Sequence, residues 1–231
     1  MIVYGKNVIK EAVYSKREIY NVWMDEKFND QTFLSFLNDK KIRYQKVAKG
    51  ELNRLTANAI HQGIVANVKD YVYLNLEEVI KDDRVQRFII LDGIEDPHNL
   101  GAIMRTAEAT KLDGIIMSKK HQVPLNATVA KVSSGAIEHV KVALVPNINQ
   151  AIQILKQHNI LVVGTDGNTD TLYTELPKNQ SLAIVLGNEG EGIRPLVKLN
   201  CDLLVKIPMY GKINSLNVSV AAALMMYQMI L

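Results

Sequence analysis

The sequence has little cysteine, no long apolar run and little net charge. Cys201 is the only cysteine among 231 residues, so an intramolecular disulfide is excluded and a thiolate metal cluster is not indicated. The most apolar stretch, residues 215–231, carries Asn217, Ser219 and Gln228 and is shorter than the ~20 apolar residues that a membrane span needs. Charges are scattered through the amino-terminal segment, unlike a signal peptide. These absences predict a reduced cytoplasmic location, no membrane segment and no metal.

The net charge of +3 is too small to indicate a polyanion partner, but it is unevenly distributed. Residues 1–70 contain 12 Lys and Arg against 8 Asp and Glu, while residues 71–231 contain 15 against 16. Between Asp39 and Glu51 the chain carries basic residues and no acid, with Tyr44 among them. The basic residues of this run are Lys40, Lys41, Arg43, Lys46 and Lys49. Such a run suits RNA phosphate contacts beside a stacking ring, although alone it is more typical of a solvated helix end and strand.

Apolar residues follow different patterns in the two parts of the chain. Residues 1–70 alternate helix-like and strand-like segments, which predicts a small α/β domain. The charge-dense segment 71–85 predicts a linker. In residues 86–231, short apolar runs recur and most are separated by helical patterns, which predicts a parallel sheet covered by helices on both faces. The runs are 88–91, 114–117, 140–145, 160–163, 182–186 and 203–207.

Parallel sheets bind ligands beyond the carboxyl ends of their strands, so the chemistry is expected in the loops that follow these runs. The first loop lacks G-x-G-x-x-G, which argues against an ordinary dinucleotide site. It continues as DPHNLGAIMRTAEA, which contains Asn99 and Arg105. Taken singly, Asn99 is explained as a helix cap and Arg105 as an exposed helix residue.

Two later segments carry further signals. LGNEGEGI is a buried strand that runs into a glycine-rich turn, where the backbone could approach a ligand closely. IPMYGKINSLNVSVAAALMMY is a strand end, a loop and a long helix, in which Ser215 or Asn214 taken alone would be explained as a helix cap. Each segment by itself is only moderately specific.

In this order and spacing, the three segments resemble the signature segments of the SpoU (TrmH) family of 2'-O-ribose RNA methyltransferases, in the SPOUT superfamily. The resemblance covers residues 86–231. The segments YGKNVIKEAV and HQGIVANV resemble the small amino-terminal RNA-binding domain of the family's rRNA-modifying branch. The resemblance implies a SPOUT-type α/β fold with a parallel sheet and a C-terminal deep trefoil knot, a homodimer, and S-adenosylmethionine as methyl donor. Because true knots are nearly absent from proteins, the knot rests wholly on the resemblance.

The motif positions, carried over one by one, imply a set of site residues. The implied catalytic and substrate-orienting residues are Asn99, Arg105, Glu189, Ser215 and Asn217. The implied cofactor contacts are Thr165, Gly167, Leu186, Gly187, Ile207 and Leu216. Because a guanidinium stays protonated, we assign Arg105 to the substrate phosphate and the developing alkoxide, and Glu189 to orientation or proton acceptance.

The reaction implied by the resemblance is methyl transfer to a ribose 2'-hydroxyl, with a guanosine of large-subunit rRNA as the expected target. The same fold and chemistry act on tRNA, which is the first alternative. A second alternative is a non-catalytic RNA-binding or ribosome-assembly protein, for which the basic run in residues 40–49 would suffice. The intact motif set argues against it. A third, another nucleotide-using α/β enzyme, lacks the phosphate-binding glycine motifs.

Overall fold

A computed structural model describes residues 1–188 and 190–231, which form two compact units. The first unit comprises Met1–Val72 and Leu125–His139, and the second comprises Tyr73–Pro124 and Val140–Leu231. The strands are β1 (Ile2–Tyr4), β2 (Ile19–Asp25), β3 (Gln45–Val47), β4 (Ile64–Val68), β5 (Arg87–Asp92), β6 (Gly114–Ser118), β7 (Val142–Val145), β8 (Leu161–Thr165), β9 (Leu182–Gly187) and β10 (Leu203–Val205). The α-helices are α1 (Lys6–Tyr14), α2 (Gln31–Asp39), α3 (Lys49–Leu55), α4 (Leu76–Val79), α5 (Pro97–Ala109), α6 (Ala127–Val132), α7 (Ile148–Gln157), α8 (Pro195–Asn200) and α9 (Val218–Ile230).

The first unit is built on a four-stranded sheet in the order β1-β4-β2-β3. Strand β4 pairs antiparallel with β1 and β2, whereas β3 pairs parallel with β2. The apolar residues of the helices recur at helical spacing and are buried, as at Val8, Ile9 and Ala12 in α1 and at Phe33 and Leu37 in α2. The alternating helix and strand patterns of residues 1–70 therefore correspond to real elements.

Residues 125–139 pack with the first unit, although their sequence pattern placed them in the second domain. Helix α6 lies against β1, and the 3-10 helix Ala136–Glu138 lies against α1. The Glu138 carboxylate is buried and accepts hydrogen bonds from the Arg17 guanidinium at 2.7 Å and the Tyr71 hydroxyl at 3.0 Å. A local apolar pattern predicts that one face of a helix is buried, but it does not indicate which surface covers that face. The sequence alone therefore could not assign this segment to one of the two units.

The second unit contains a six-stranded sheet in the order β10-β8-β9-β5-β6-β7, with every neighbouring pair parallel. Each of the six apolar runs predicted from the sequence forms one of these strands. The parallel sheet of the predicted fold is thereby confirmed, whereas the trefoil knot stays a prediction. Short helix α4 lies in the segment that the charge pattern marked as a linker.

Helices cover both faces of this sheet, which explains why its strands are apolar at consecutive positions. Side chains of α4, α7 and α8 form one core cluster with Phe88 and Ile90 of β5. Helices α5 and α9 pack against each other and against β6 and β9, respectively. Ile89 and Leu91 are fully buried, and because successive strand residues point to opposite faces, they lie on this second face.

Two helix starts differ from the sequence interpretation. Helix α5 begins at Pro97 and is capped by Asp96, whose carboxylate accepts a hydrogen bond from the His98 amide at 2.8 Å. Asn99 therefore lies inside the helix, and the cap prediction was wrong because proline is itself favoured in the first helical turn. Helix α9 is capped by Asn217, whereas Ser215 lies before it.

Candidate functional site

A cavity of about 300 Å³ lies at the carboxyl ends of β8, β9 and β10. This is the edge of a parallel sheet where ligands bind, and the volume is within the range of known small-molecule sites. The cavity is lined by each of the predicted cofactor residues, which are Thr165, Gly167, Leu186, Gly187, Ile207 and Leu216. The structure thus gathers residues of three separate chain segments around one cavity.

The described residues of the glycine loop (residues 187–192) form one wall of the cavity. The Asn188 amide donates to the Gly192 carbonyl at 3.2 Å, and the Gly192 amide donates to the Asn188 carbonyl at 2.9 Å. A Cβ at Gly187 would lie 2.0 Å from the carbonyl carbon of Gly192, so only glycine fits there. Glu189, the predicted orienting carboxylate, lies outside the described residues.

Another part of the cavity lining is formed by the segment that leads into α9. Asn214, Ser215 and Leu216 line the cavity, and Ser215 is exposed. Asn217 follows directly and caps α9 by accepting a hydrogen bond from the Ser219 amide at 2.9 Å. The loop and the helix start therefore hold Ser215 and Leu216 at the cavity.

Two of the predicted catalytic residues are in direct contact. The side-chain amide of Asn217 donates to the side-chain oxygen of Asn99 at 3.0 Å. Asn99 is buried in the first turn of α5, and 118 positions separate it from Asn217 in the chain. This bond joins the first and third sequence motifs next to the cavity.

Among the described residues, no hydrogen bond or ion pair joins Arg105 to the other predicted site residues. It lies further along α5 than Asn99, and its side chain is exposed. As far as the described residues define the cavity, Arg105 does not line it. The exposed guanidinium is accessible to a ligand that approaches from solvent.

Sequence reasoning missed one interaction at this site. Asp92, the last residue of β5, has a fully buried side chain whose oxygens accept hydrogen bonds from Arg194, at 2.8 Å from Nε and at 3.1 Å from the backbone amide. Arg194 immediately precedes α8. An aspartate at the carboxyl end of an apolar strand was the available signal, but nothing local identifies its partner.

The basic run predicted to contact RNA is solvent-exposed in the first unit. It begins at the end of α2, continues along the edge strand β3 and ends at the first residue of α3. The exposed side chains are Lys40, Lys41, Arg43, Lys46 and Lys49. The structure therefore leaves these cations accessible.

Within residues 1–188 and 190–231, no group of three or more His, Cys, Asp or Glu side chains could hold a metal ion. No helix within the same ranges is long and apolar enough to cross a membrane. Burial raises the pKa of the Cys201 thiol to about 11, so this side chain stays protonated at neutral pH.

Two protein families match the two parts of the chain. The SpoU rRNA Methylase family matches residues 86–227, which include the parallel sheet and the cavity. The family described as RNA 2'-O ribose methyltransferase substrate binding matches residues 2–74. Together these matches span nearly the whole chain and confirm the family resemblance predicted from the sequence motifs.

Individual relatives agree with this result. A protein named as a TrmH family tRNA/rRNA methyltransferase from Staphylococcus haemolyticus is 42% identical over 99% of this chain and 94% of its own length. One of the same name from Staphylococcus aureus is 44% identical over 98% and 94%. The SpoU methyltransferase AviRb from Streptomyces viridochromogenes, solved with AdoMet, has the same fold, with a TM-score of 0.84, 23% identity, and coverage of 99% of this chain and 88% of its own. The chain belongs to the SpoU (TrmH) family of RNA methyltransferases.

Proposed function

We propose that this protein transfers a methyl group from S-adenosylmethionine to a ribose 2'-hydroxyl of RNA. The observation that carries the proposal is the cavity at the carboxyl ends of β8 to β10, around which all the predicted cofactor residues gather. Membership of a methyltransferase family supports the reaction class, and the substrate-binding match of residues 2–74 supports the 2'-O-ribose position.

The cavity lining suits this cofactor. Leu186, Val205, Ile207 and Leu216 offer an apolar surface for an adenine ring, while the glycine loop offers backbone amides and carbonyls to polar groups. A Cβ added at Gly167 would have no described atom within 4 Å, so the space beside this backbone is open to a ligand. When bound, S-adenosylmethionine supplies a methyl group attached to a positively charged sulfur. A nucleophilic oxygen can attack that methyl group and displace the sulfur.

The residues of this chain would then position the ribose and stabilise the charge that develops on its oxygen. The hydrogen-bonded pair of Asn99 and Asn217 and the exposed Ser215 hydroxyl orient the ribose and phosphate. Arg105 binds the neighbouring phosphate and stabilises the developing alkoxide, because a permanently charged guanidinium is suited to both tasks. We assign the orientation of the hydroxyl, or acceptance of its proton, to Glu189.

We further propose a division of labour between the two parts of the chain. The first, with residues 1–70 as its main segment, docks RNA through the exposed run of Lys40, Lys41, Arg43, Lys46 and Lys49. A linker at residues 71–85 leads to the methyltransferase part, residues 86–231, which binds the cofactor. The expected target is a guanosine in large-subunit rRNA, and tRNA is the alternative because relatives are named for both RNAs.

We also propose that the protein forms a homodimer through α9. Val218, Ala222 and Met225 on one side of α9 are buried within the chain itself. The other side of α9, with the residue that follows it, exposes a second apolar stripe at helical spacing, which comprises Val220, Leu224, Tyr227 and Leu231. A second copy of the chain could cover this stripe. The C-terminal trefoil knot is part of the same proposal.

The test is to incubate the purified protein and S-adenosylmethionine with RNA that lacks the modification, in separate reactions for 23S rRNA, 16S rRNA and bulk tRNA. The 2'-O-methylated nucleotides are then mapped in each RNA. We expect one modified guanosine in 23S rRNA and none when the cofactor is omitted. A single site in tRNA would support the alternative target. Binding of RNA without any methyl transfer, in the presence of bound cofactor, would favour the non-catalytic assembly protein and contradict the proposal.

A further inference from the structure

The buried carboxylate of Asp92 lies at the point where the glycine loop leaves the sheet. Asp92 pairs with Gly187 in the β5–β9 register, so the two residues end neighbouring strands side by side. The Asp92 side chain is 0% exposed. A buried carboxylate is strongly unfavourable unless it is paired and hydrogen-bonded, so its partner is structurally significant.

That partner closes the other end of the glycine loop. One Asp92 oxygen accepts a hydrogen bond from the Arg194 backbone amide at 3.1 Å, and the other accepts one from Arg194 Nε at 2.8 Å. Backbone and side chain of one residue are thus both bound to the end of β5. Since Arg194 follows the loop by two positions, this bidentate contact determines where the loop returns to the sheet.

The described residues in the middle of the loop are joined by neutral hydrogen bonds. Asn188 exchanges two backbone hydrogen bonds with Gly192, and its side chain donates to the Gly93 carbonyl at 3.2 Å. Gly190 donates to the Asn188 side chain at 2.8 Å. These neutral bonds shape the turn itself, whereas the charged Asp92–Arg194 contact ties the turn to the sheet.

We propose that Asp92, acting through Arg194, is a positioning residue that holds the glycine loop in the conformation that accepts the cofactor. The inference rests on the proposed function, because it takes the cavity beside this loop as the S-adenosylmethionine site. Gly187, Asn188 and Gly192 line that cavity, whereas Asp92 does not line it as far as the described residues show. Asp92 therefore acts on cofactor affinity only through the loop.

The chain offers a matched control. Asp113 also has a nearly buried side chain, accepts a hydrogen bond from the backbone amide of Arg87 at 2.7 Å and pairs with the guanidinium of Arg84. It lies just before β6, at the amino-terminal end of the parallel strands, whereas Asp92 lies at their carboxyl end. Asp92→Asn and Asp113→Asn remove the same charge from similar surroundings, one beside the glycine loop and one remote from it.

The experiment titrates wild-type protein, Asp92→Asn, Arg194→Gln and Asp113→Asn with S-adenosylhomocysteine by calorimetry and measures the thermal stability of each. We expect the Asp92 and Arg194 variants to weaken binding about 10-fold to 100-fold, as displacement of a positioned group does, and Asp113→Asn to bind as the wild type does. The double variant Asp92→Asn/Arg194→Gln should bind no more weakly than the worse single variant, because the two side chains act as one unit.

The outcomes separate this inference from the proposed function. If the wild type binds S-adenosylhomocysteine and both variants bind equally well, the positioning role is wrong and the proposed function stands. If Asp113→Asn weakens binding as much as Asp92→Asn at a similar loss of stability, the effect is general destabilisation and the inference also fails. Absence of wild-type binding would overturn both. Should Asp92→Asn not fold, Arg194→Gln decides, since the Arg194 side chain is 50% exposed.

Discussion

Arg105 is the residue that most directly connects the proposed chemistry to a single side chain. It projects from α5 into solvent, while Asn99 on the same helix is buried and bound to Asn217. An exposed cation contributes little to folding, so any large effect of removing it reports on the reaction. This separation makes Arg105 a sharper probe than Asn99 or Asn217, whose removal would also disturb helix packing or capping.

We expect Arg105→Ala to lower methyl transfer about 10²-fold to 10³-fold, the usual effect of removing one preorganised charged donor. Arg105→Lys should recover part of the rate, because lysine retains the charge but not the planar guanidinium. Single-turnover transfer at saturating RNA and cofactor measures both variants. Lys178→Ala, another exposed cation in the same unit, is the control and should be fully active. Undiminished methyl transfer by Arg105→Ala would contradict this role and show that Arg105 is an ordinary solvated helix residue.

Asn217 shows how one side chain serves two elements. Its oxygen accepts the Ser219 amide as the cap of α9, while its nitrogen donates to Asn99 in α5. Aspartate could replace the capping function but not the donated hydrogen bond. This position therefore requires an amide side chain, which joins the start of α9 to the first turn of α5.

At the scale of elements, the glycine loop depends on the close approach of two backbone segments. Gly187→Ala places a Cβ 2.0 Å from the carbonyl carbon of Gly192, which forces the loop away from β9. We expect the unfolding free energy of this variant to be lower than that of the wild type by about 1–3 kcal/mol or more, the typical effect of overpacking. Gly167→Ala is the control, because its Cβ meets no atom within 4 Å. Denaturant unfolding compares the two, and equal stability would contradict the close approach.

The contact between residues 125–139 and the rest of the first unit depends on a buried ion pair. The side chains of Arg17 and Glu138 are 7% and 4% exposed. Glu138→Ala leaves the guanidinium buried without its counter-charge, so we expect a loss of about 3–5 kcal/mol in unfolding free energy. Glu18→Ala breaks the exposed pair with Lys69 and should lose no more than about 1 kcal/mol. Urea unfolding distinguishes the two, and similar values would argue against a structural role for Glu138.

The same cluster predicts a loss of stability at alkaline pH. Burial, together with the neighbouring Glu138 carboxylate, raises the pKa of Tyr71 far above its ordinary value. In the unfolded chain Tyr71 ionises near pH ~10, whereas in the folded protein it keeps its proton, so stability is retained below about pH 10 and falls as the pH rises further. Between about pH 8 and about pH 11, the unfolding free energy of Tyr71→Phe should fall less than that of the wild type. Parallel declines would exclude this contribution.

At the scale of the whole molecule, the chain passes between its two units three times. It leaves the first unit after Val72, returns at Leu125 and leaves again after His139. A fragment that lacks residues 1–72 would therefore retain a segment whose buried partners, such as Arg17, are gone. Deleting residues 1–70 is for this reason a poor test of an independent RNA-docking domain, and point substitutions in the basic run are the better choice.

The proposed dimer gives a prediction at the same scale. Leu224→Glu places a charge in the exposed apolar stripe of α9, where the wild-type side chain is 37% exposed. We expect this variant to remain folded but to sediment as a monomer, because a carboxylate disfavours burial against a second copy. Ile60→Glu alters an exposed apolar residue of the first unit and should leave the dimer intact. A wild-type monomer in sedimentation would refute the proposal outright.

Features encoded within short stretches of chain could be predicted from the sequence. The six apolar runs became the six parallel strands because a strand covered on both faces needs consecutive apolar residues. The glycine-rich turn after β9 was recognisable because backbone segments that approach closely need residues without a Cβ. The cofactor residues followed from the family resemblance, and the structure brings them around one cavity, while their roles stay predictions.

Features that join distant parts of the chain were decided only by the tertiary structure. Asp92 and Arg194 are 102 residues apart, and residues 125–139 find their buried partners among residues 1–72. The cap of α5 is Asp96 rather than Asn99, which lies inside the helix and accepts a hydrogen bond from Asn217. A sequence pattern states that a side chain is buried or charged, but its partner is selected by which elements the fold brings together. The charged contact that ties the glycine loop to the sheet therefore has no local signature.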